Sequence, residues 1–119
     1  HQITHLGGAN FAPFFTPDTS SALMDWLCDE LRATPAPVAI ATFRALLQTD
    51  LRPALGRIDR PTLIIQGDKD ASAPLDITGR RLAAGIKGSE LKVYPGAPHG
   101  LFVTHMEQVN RDLEAFLKA

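Results

Sequence analysis

The run Thr62-Leu63-Ile64-Ile65-Gln66 constrains the fold more than any other part of the sequence. Its apolar residues are consecutive rather than alternating, so a strand built from it needs cover on both faces, as strands of parallel sheets have. A second short run, Leu91-Lys92-Val93-Tyr94, lies far enough along the chain for one crossover helix to fit between the two, which a parallel pair requires. That helix is expected from Pro74, a residue suited to a first helical turn, to about Ile86, with Lys87-Gly88 as its stop. After the second run, Thr104-His105-Met106-Glu107 reads as a capping box, in which the Thr hydroxyl and the Glu carboxylate each satisfy a free backbone N–H. Met106, Val109, Leu113, Phe116 and Leu117 then form one apolar face of a last helix. From Ile58 onward the chain therefore reads βαβα with a right-handed parallel crossover.

Upstream the pattern is helical. The first 17 residues hold Gly7-Gly8, Phe11, Pro13-Phe14-Phe15 and Pro17 without a period, which predicts an irregular, loosely held lead-in. Asp18-Thr19-Ser20-Ser21 offers N-cap oxygens to a helix from about Ser20 to Arg32, with Leu23, Trp26, Leu27 and Leu31 at helical spacing. Thr34-Pro35-Ala36-Pro37 breaks it. A second helix is expected from Pro37 through Leu47, burying Ile40, Phe43 and Leu47, and Asp50 should cap a short turn from Leu51 to Leu55. The chain divides into residues 1–57, a lead-in with a helical cap segment, and residues 58–119, a βαβα part of a core.

Charge excludes several classes of partner. Of 119 residues, 12 are Lys or Arg and 13 Asp or Glu, and neither half holds an excess of one sign. No basic stripe is available for nucleic acid or an anionic membrane surface. No apolar run approaches the ~18 residues of a membrane span, and the N-terminus lacks a signal-peptide pattern. The single Cys28 permits neither an internal disulfide nor a zinc cluster and fits a reducing compartment such as the cytoplasm. With no basic neighbour it reads as a buried structural thiol. Gly7-Gly8 lacks the Lys-Ser/Thr of a phosphate loop.

Open parallel sheets carry function at the carboxyl ends of their strands. Here those ends are Gly67-Asp68-Lys69-Asp70 and Pro95-Gly96-Ala97-Pro98-His99-Gly100. Adjacent strands lie about 4.8 Å apart, so side chains on the two loops can meet. A carboxylate there could fix the tautomer of His99 and leave its Nε2 as a general base. The alternative is that Asp68 and Asp70 only cap turns and His99 is an ordinary loop residue.

Both segments, Ile58 to Asp70 with Pro74 and Leu91 to Gly100, resemble the C-terminal part of the α/β-hydrolase fold, in the branch of cofactor-free haloperoxidases, perhydrolases and related esterases. In that family the pattern P-T-L-(apolar)₂-x-G-D-x-D holds the triad acid on its second Asp, which falls on Asp70. G-x-x-H-G holds the triad base, which falls on His99, and Asp68 is then a turn cap. The resemblance covers Ile58 to Ala119 in detail and Phe11 to Leu55 more loosely, as the helical cap over an active site. It implies a serine hydrolase of small carboxylic esters, with peracid formation from a carboxylic acid and peroxide as a related activity, and neither metal nor organic cofactor. Phe11, Phe14, Phe15, Met24 and Trp26 could line an apolar substrate pocket beneath the cap.

The family's nucleophile is a Ser in G-x-S-x-G on a strand-to-helix turn upstream of the acid and base. None of Ser20, Ser21, Ser72 and Ser89 has those flanking glycines. With His1 at the start, the expectation is a C-terminal segment of a longer enzyme that supplies acid and base and is inactive alone. The competing reading is a non-catalytic fragment that self-associates, or docks onto a complementary N-terminal half, through an exposed sheet edge.

Overall fold

The computed structural model describes residues 12–119. After a 3₁₀ turn at Ala12–Phe14 come helices α1 (Ser21–Ala33), α2 (Ala36–Gln48) and α3 (Arg52–Leu55). Strand β1 (Leu63–Gly67), helix α4 (Gly79–Gly85), strand β2 (Glu90–Tyr94), a single helical turn α5 (Leu101–Thr104) and helix α6 (Met106–Lys118) follow. Ser20 caps α1 as its position predicts: its backbone is extended and its Oγ accepts the Leu23 N–H at 3.3 Å. Asp50 accepts the Arg52 N–H at 3.0 Å at the start of α3.

β1 and β2 pair in parallel, with Leu63 opposite Glu90 and Gly67 opposite Tyr94, so both strands release their loops at the same end. α4 makes the crossover and packs on both strands. The core lies directly beneath the strand-end loops, where Tyr94, Ala97, Leu101 and Val109 are buried and Ile65 packs against them. α6 is pinned to β2 by polar groups as well. Asp112 accepts a hydrogen bond from the Tyr94 hydroxyl and pairs with Lys92 Nζ at 2.9 Å. Burial, reinforced by that bond to Asp112, pushes the Tyr94 phenol up to about 12, while Lys92 first and Tyr94 second hold the Asp112 carboxyl below its ordinary range.

Four expectations need correction. The crossover helix begins at Gly79 rather than Pro74, because Thr78, with φ −121° and ψ −87°, breaks helical geometry and residues 74–78 form turns. The capping box does not form: Thr104 closes α5, its hydroxyl pairs with His105 Nδ1 at 2.8 Å, and α6 starts without a side-chain cap. The apolar face of α2 is not buried, and Ile40, Phe43 and Leu47 are 53%, 61% and 71% exposed, since among the described residues no element packs on that side of the helix. Similarly only Val109 of the α6 stripe is buried; Phe116 is half-buried, and Met106, Leu113 and Leu117 face outward. The radius of gyration of 16.3 Å shows the same openness; a compact domain of this length has about 13–14 Å.

Candidate functional site

The two strand-end loops are stitched together by backbone. Tyr94-Pro95-Gly96-Ala97 forms a type II turn, with Pro at its second position, Gly96 at φ +74° in its third, and Ala97 N–H donating to Tyr94 O at 3.3 Å. That turn presents Gly96 N–H to Asp68 Oδ1 at 2.7 Å and Ala97 O to Lys69 N–H at 3.0 Å. Asp68 is thus a loop staple, in keeping with its reading as a turn cap. Gly67 lies under the Ala97 carbonyl so closely that a Cβ there would stand 1.9 Å from the oxygen, which fixes glycine at this position.

Stitching brings Asp70 and His99 together. Asp70 Oδ1 accepts the N–H groups of Ser72 at 3.0 Å and Ala73 at 2.7 Å, while Oδ2 lies 2.8 Å from His99 Nδ1. A carboxylate can only accept, so His99 Nδ1 carries the hydrogen and Nε2 of the neutral ring is left as an acceptor. The Asp70 side chain is 4% exposed and that of His99 41%, so the acid is enclosed while the imidazole reaches the surface. Among the described residues no group hydrogen-bonds His99 Nε2. Phe14 meets the imidazole edge to face, with centroids 5.1 Å apart, and Phe14 O accepts the Gly100 N–H at 2.6 Å. The end of the lead-in expected to be loose is therefore docked onto the histidine loop. Gly100 leaves room for it, since a Cβ there would stand 2.4 Å from the Phe15 ring.

Two hollows flank the pair. An open trough of about 400 Å³ runs from Asp70 and His99 along β1, past Ile64, Ile65, Leu82 and Val109. A second cavity of about 280 Å³ is almost wholly apolar and lies between the lead-in and α1, against Phe14, Phe15, Met24, Leu27, Cys28 and Phe102. Among the described residues no group of three or more His, Cys, Asp or Glu side chains is placed to hold a metal ion.

The sequence pattern of the alpha/beta hydrolase fold matches residues 19–106, most of the chain. The chain belongs to the α/β-hydrolase fold family. Relatives of this chain include a non-heme chloroperoxidase of Kitasatospora aureofaciens, 45% identical over 71 residues, which are 58% of this chain and 26% of the relative. A bifunctional esterase/perhydrolase of Acinetobacter calcoaceticus is 41% identical over 75 residues, 63% of this chain and 27% of the relative. The crystal structure of a bromoperoxidase from Bacillus anthracis superimposes with a TM-score of 0.85 at 29% identity, covering 100% of this chain and 45% of the other. These matched stretches amount to about a quarter of the length of the curated relatives.

Of the residues expected to line a substrate pocket, Phe14, Phe15 and Met24 do line the apolar cavity. Trp26 does not. It is 56% exposed, because Met24, Leu27, Cys28 and Leu31 follow the helical spacing that faces the cavity and Trp26 falls two residues from Met24, on another side of α1. Phe11 lies outside the described residues. Sequence reading missed Phe102, which borders both hollows three residues beyond His99; the α5 turn that aims it is too short to leave a periodic signal. Gln66, buried beside the Asp70 loop, was also missed.

Proposed function

We propose that this chain supplies the acid and base of a serine hydrolase acting on small carboxylic esters. Asp70 orients His99 and stabilises the imidazolium; His99 takes the proton from a serine hydroxyl as that oxygen attacks the acyl carbon, then returns it to the departing alcohol. Water repeats the cycle on the acyl-enzyme. Replacement of water by hydrogen peroxide in that second step would release a peracid, and the perhydrolase and haloperoxidase names among the relatives support this variant. The observation that carries the reading is the 2.8 Å contact between buried Asp70 Oδ2 and Nδ1 of a surface-reaching His99.

The serine and the backbone donors for the oxyanion come, in this reading, from a segment outside the 119 residues. Of the serines present, Ser20 caps α1, the Ser89 hydroxyl donates to Ala83 O at 3.3 Å, and none has the flanking glycines of a nucleophile turn. Exposed apolar side chains on α2 and α6 offer the surface on which such a segment would settle. The test combines intact mass and light scattering of the purified chain with hydrolysis of a short-chain chromogenic ester. The proposal expects the 12.9 kDa chain alone to be inactive, and activity to appear with a co-purifying serine-bearing chain and to disappear in His99→Ala. Ester turnover that survives His99→Ala would refute it.

A further inference from the structure

Gln66 is a buried side-chain amide beside the Asp70 loop, and its amide hydrogens hold that loop. It is the penultimate residue of β1 and 8% exposed. Its Nε2 donates to Ala73 O and, at 2.8 Å, to Thr78 Oγ1. The Thr78 hydroxyl in turn lies 3.0 Å from Ala73 O and 2.8 Å from Pro74 O, either of which can take its hydrogen. Next to it, a Cβ on Gly79 would stand 2.1 Å from Gln66 Oε1, so glycine at 79 makes room for the amide.

Ala73 is therefore held on both sides. Its N–H goes to Asp70 Oδ1 and its carbonyl to Gln66. Rotation of the Asp70 carboxylate is fixed by the N–H groups of Ser72 and Ala73 on one oxygen, which leaves the other directed at His99. Residues 71–78 form an irregular segment in which no residue is fully buried, and such a segment opens locally before the strands do.

We propose that Gln66 is a positioning residue for the Asp70–His99 pair: through Ala73 and Thr78 it holds the loop that sets the angle of the Asp70 carboxylate. This rests on the reading of that pair as acid and base, but its test does not depend on catalysis. Gln66→Met keeps the volume of the side chain and removes both donated hydrogen bonds; Thr78→Val removes only the hydroxyl. In nuclear magnetic resonance of the chain, the low-field Nδ1–H signal of His99 reports its bond to Asp70, and the Ser72 and Ala73 amides report the loop. Gln66→Met should weaken or abolish the His99 signal and speed exchange at Ser72 and Ala73 by about thirtyfold, the factor that two lost hydrogen bonds give, with β1 and β2 amides unchanged. Thr78→Val should shift the same signals in the same direction by less. An unaltered His99 signal in folded Gln66→Met overturns the proposal; should that variant fail to fold, an unaltered signal in Thr78→Val does so.

Discussion

Gly67→Ala should separate the two loops that bring Asp70 to His99. The new Cβ would lie 1.9 Å from Ala97 O and 2.4 Å from Ala97 C, both backbone atoms that no rotamer change can move. Restoring ordinary contact, which begins at 3.4 Å, requires the Ala97 peptide to retreat by about 1.5 Å. That displacement breaks the bond from Lys69 N–H to Ala97 O, now 3.0 Å. Overpacking of this kind costs about 1–3 kcal/mol and the lost hydrogen bond about 1, so the variant should be destabilised by about 2–4 kcal/mol. Gly56→Ala is the control, because Gly56 has nothing within 4 Å and sits at φ −65°, where alanine is at ease; it should match the wild type or gain about 0.4–1 kcal/mol through the unfolded chain. Urea melts with a common slope measure both. A Gly67→Ala variant within about 0.5 kcal/mol of the wild type would show that the strand-end loops are not packed as described.

Tyr94 is the only tyrosine, so phenolate absorbance reads it without interference. Its folded value is raised from 10.0 to about 12, so its contribution to stability is complete below pH 10 and is lost as pH rises through 12; titration in the folded chain at the ordinary value would contradict its burial against α6. Asp112 has the opposite sign: its folded value lies below 3.8, so its contribution holds above that pH and fades as pH falls through the folded value. Acid titration of stability should therefore flatten in Asp112→Asn, and an unchanged acid limb would rule the ion pair out as its source. Cys28 is a buried free thiol and should react slowly with a thiol reagent until urea is added; rapid reaction in the native state would mean that the apolar cavity is open to solvent.

Much of the fold around the site was legible because local chemistry and tertiary packing agree there. A consecutive apolar run becomes a strand on which α4 packs and whose Ile65 meets the buried cluster, and Pro95-Gly96 forms the turn that its residue types favour. The meeting of Asp70 with His99 followed from the parallel order of two strands and from the resemblance in G-D-x-D and G-x-x-H-G. What failed depended on partners that periodicity does not show. Ile40, Phe43 and Leu47 have the spacing of a buried face, yet among the described residues no element covers them. Thr104 and Glu107 have capping-box spacing, but the turn after Gly100 claims Thr104 first. Gln66 gave no signal, since a polar residue at a strand end looks the same whether it clasps a loop or meets water.

The central claim is that Asp70 and His99 act as one acid–base unit, and the most direct test is ester turnover by the assembled enzyme carrying His99→Ala, Asp70→Asn or Asp68→Asn. The account predicts that kcat falls by about 10²- to 10⁴-fold in the first two variants. Asp68→Asn should keep most of the rate, because the amide oxygen can still accept the Gly96 N–H. Near-full activity in Asp70→Asn together with its loss in Asp68→Asn would contradict the account.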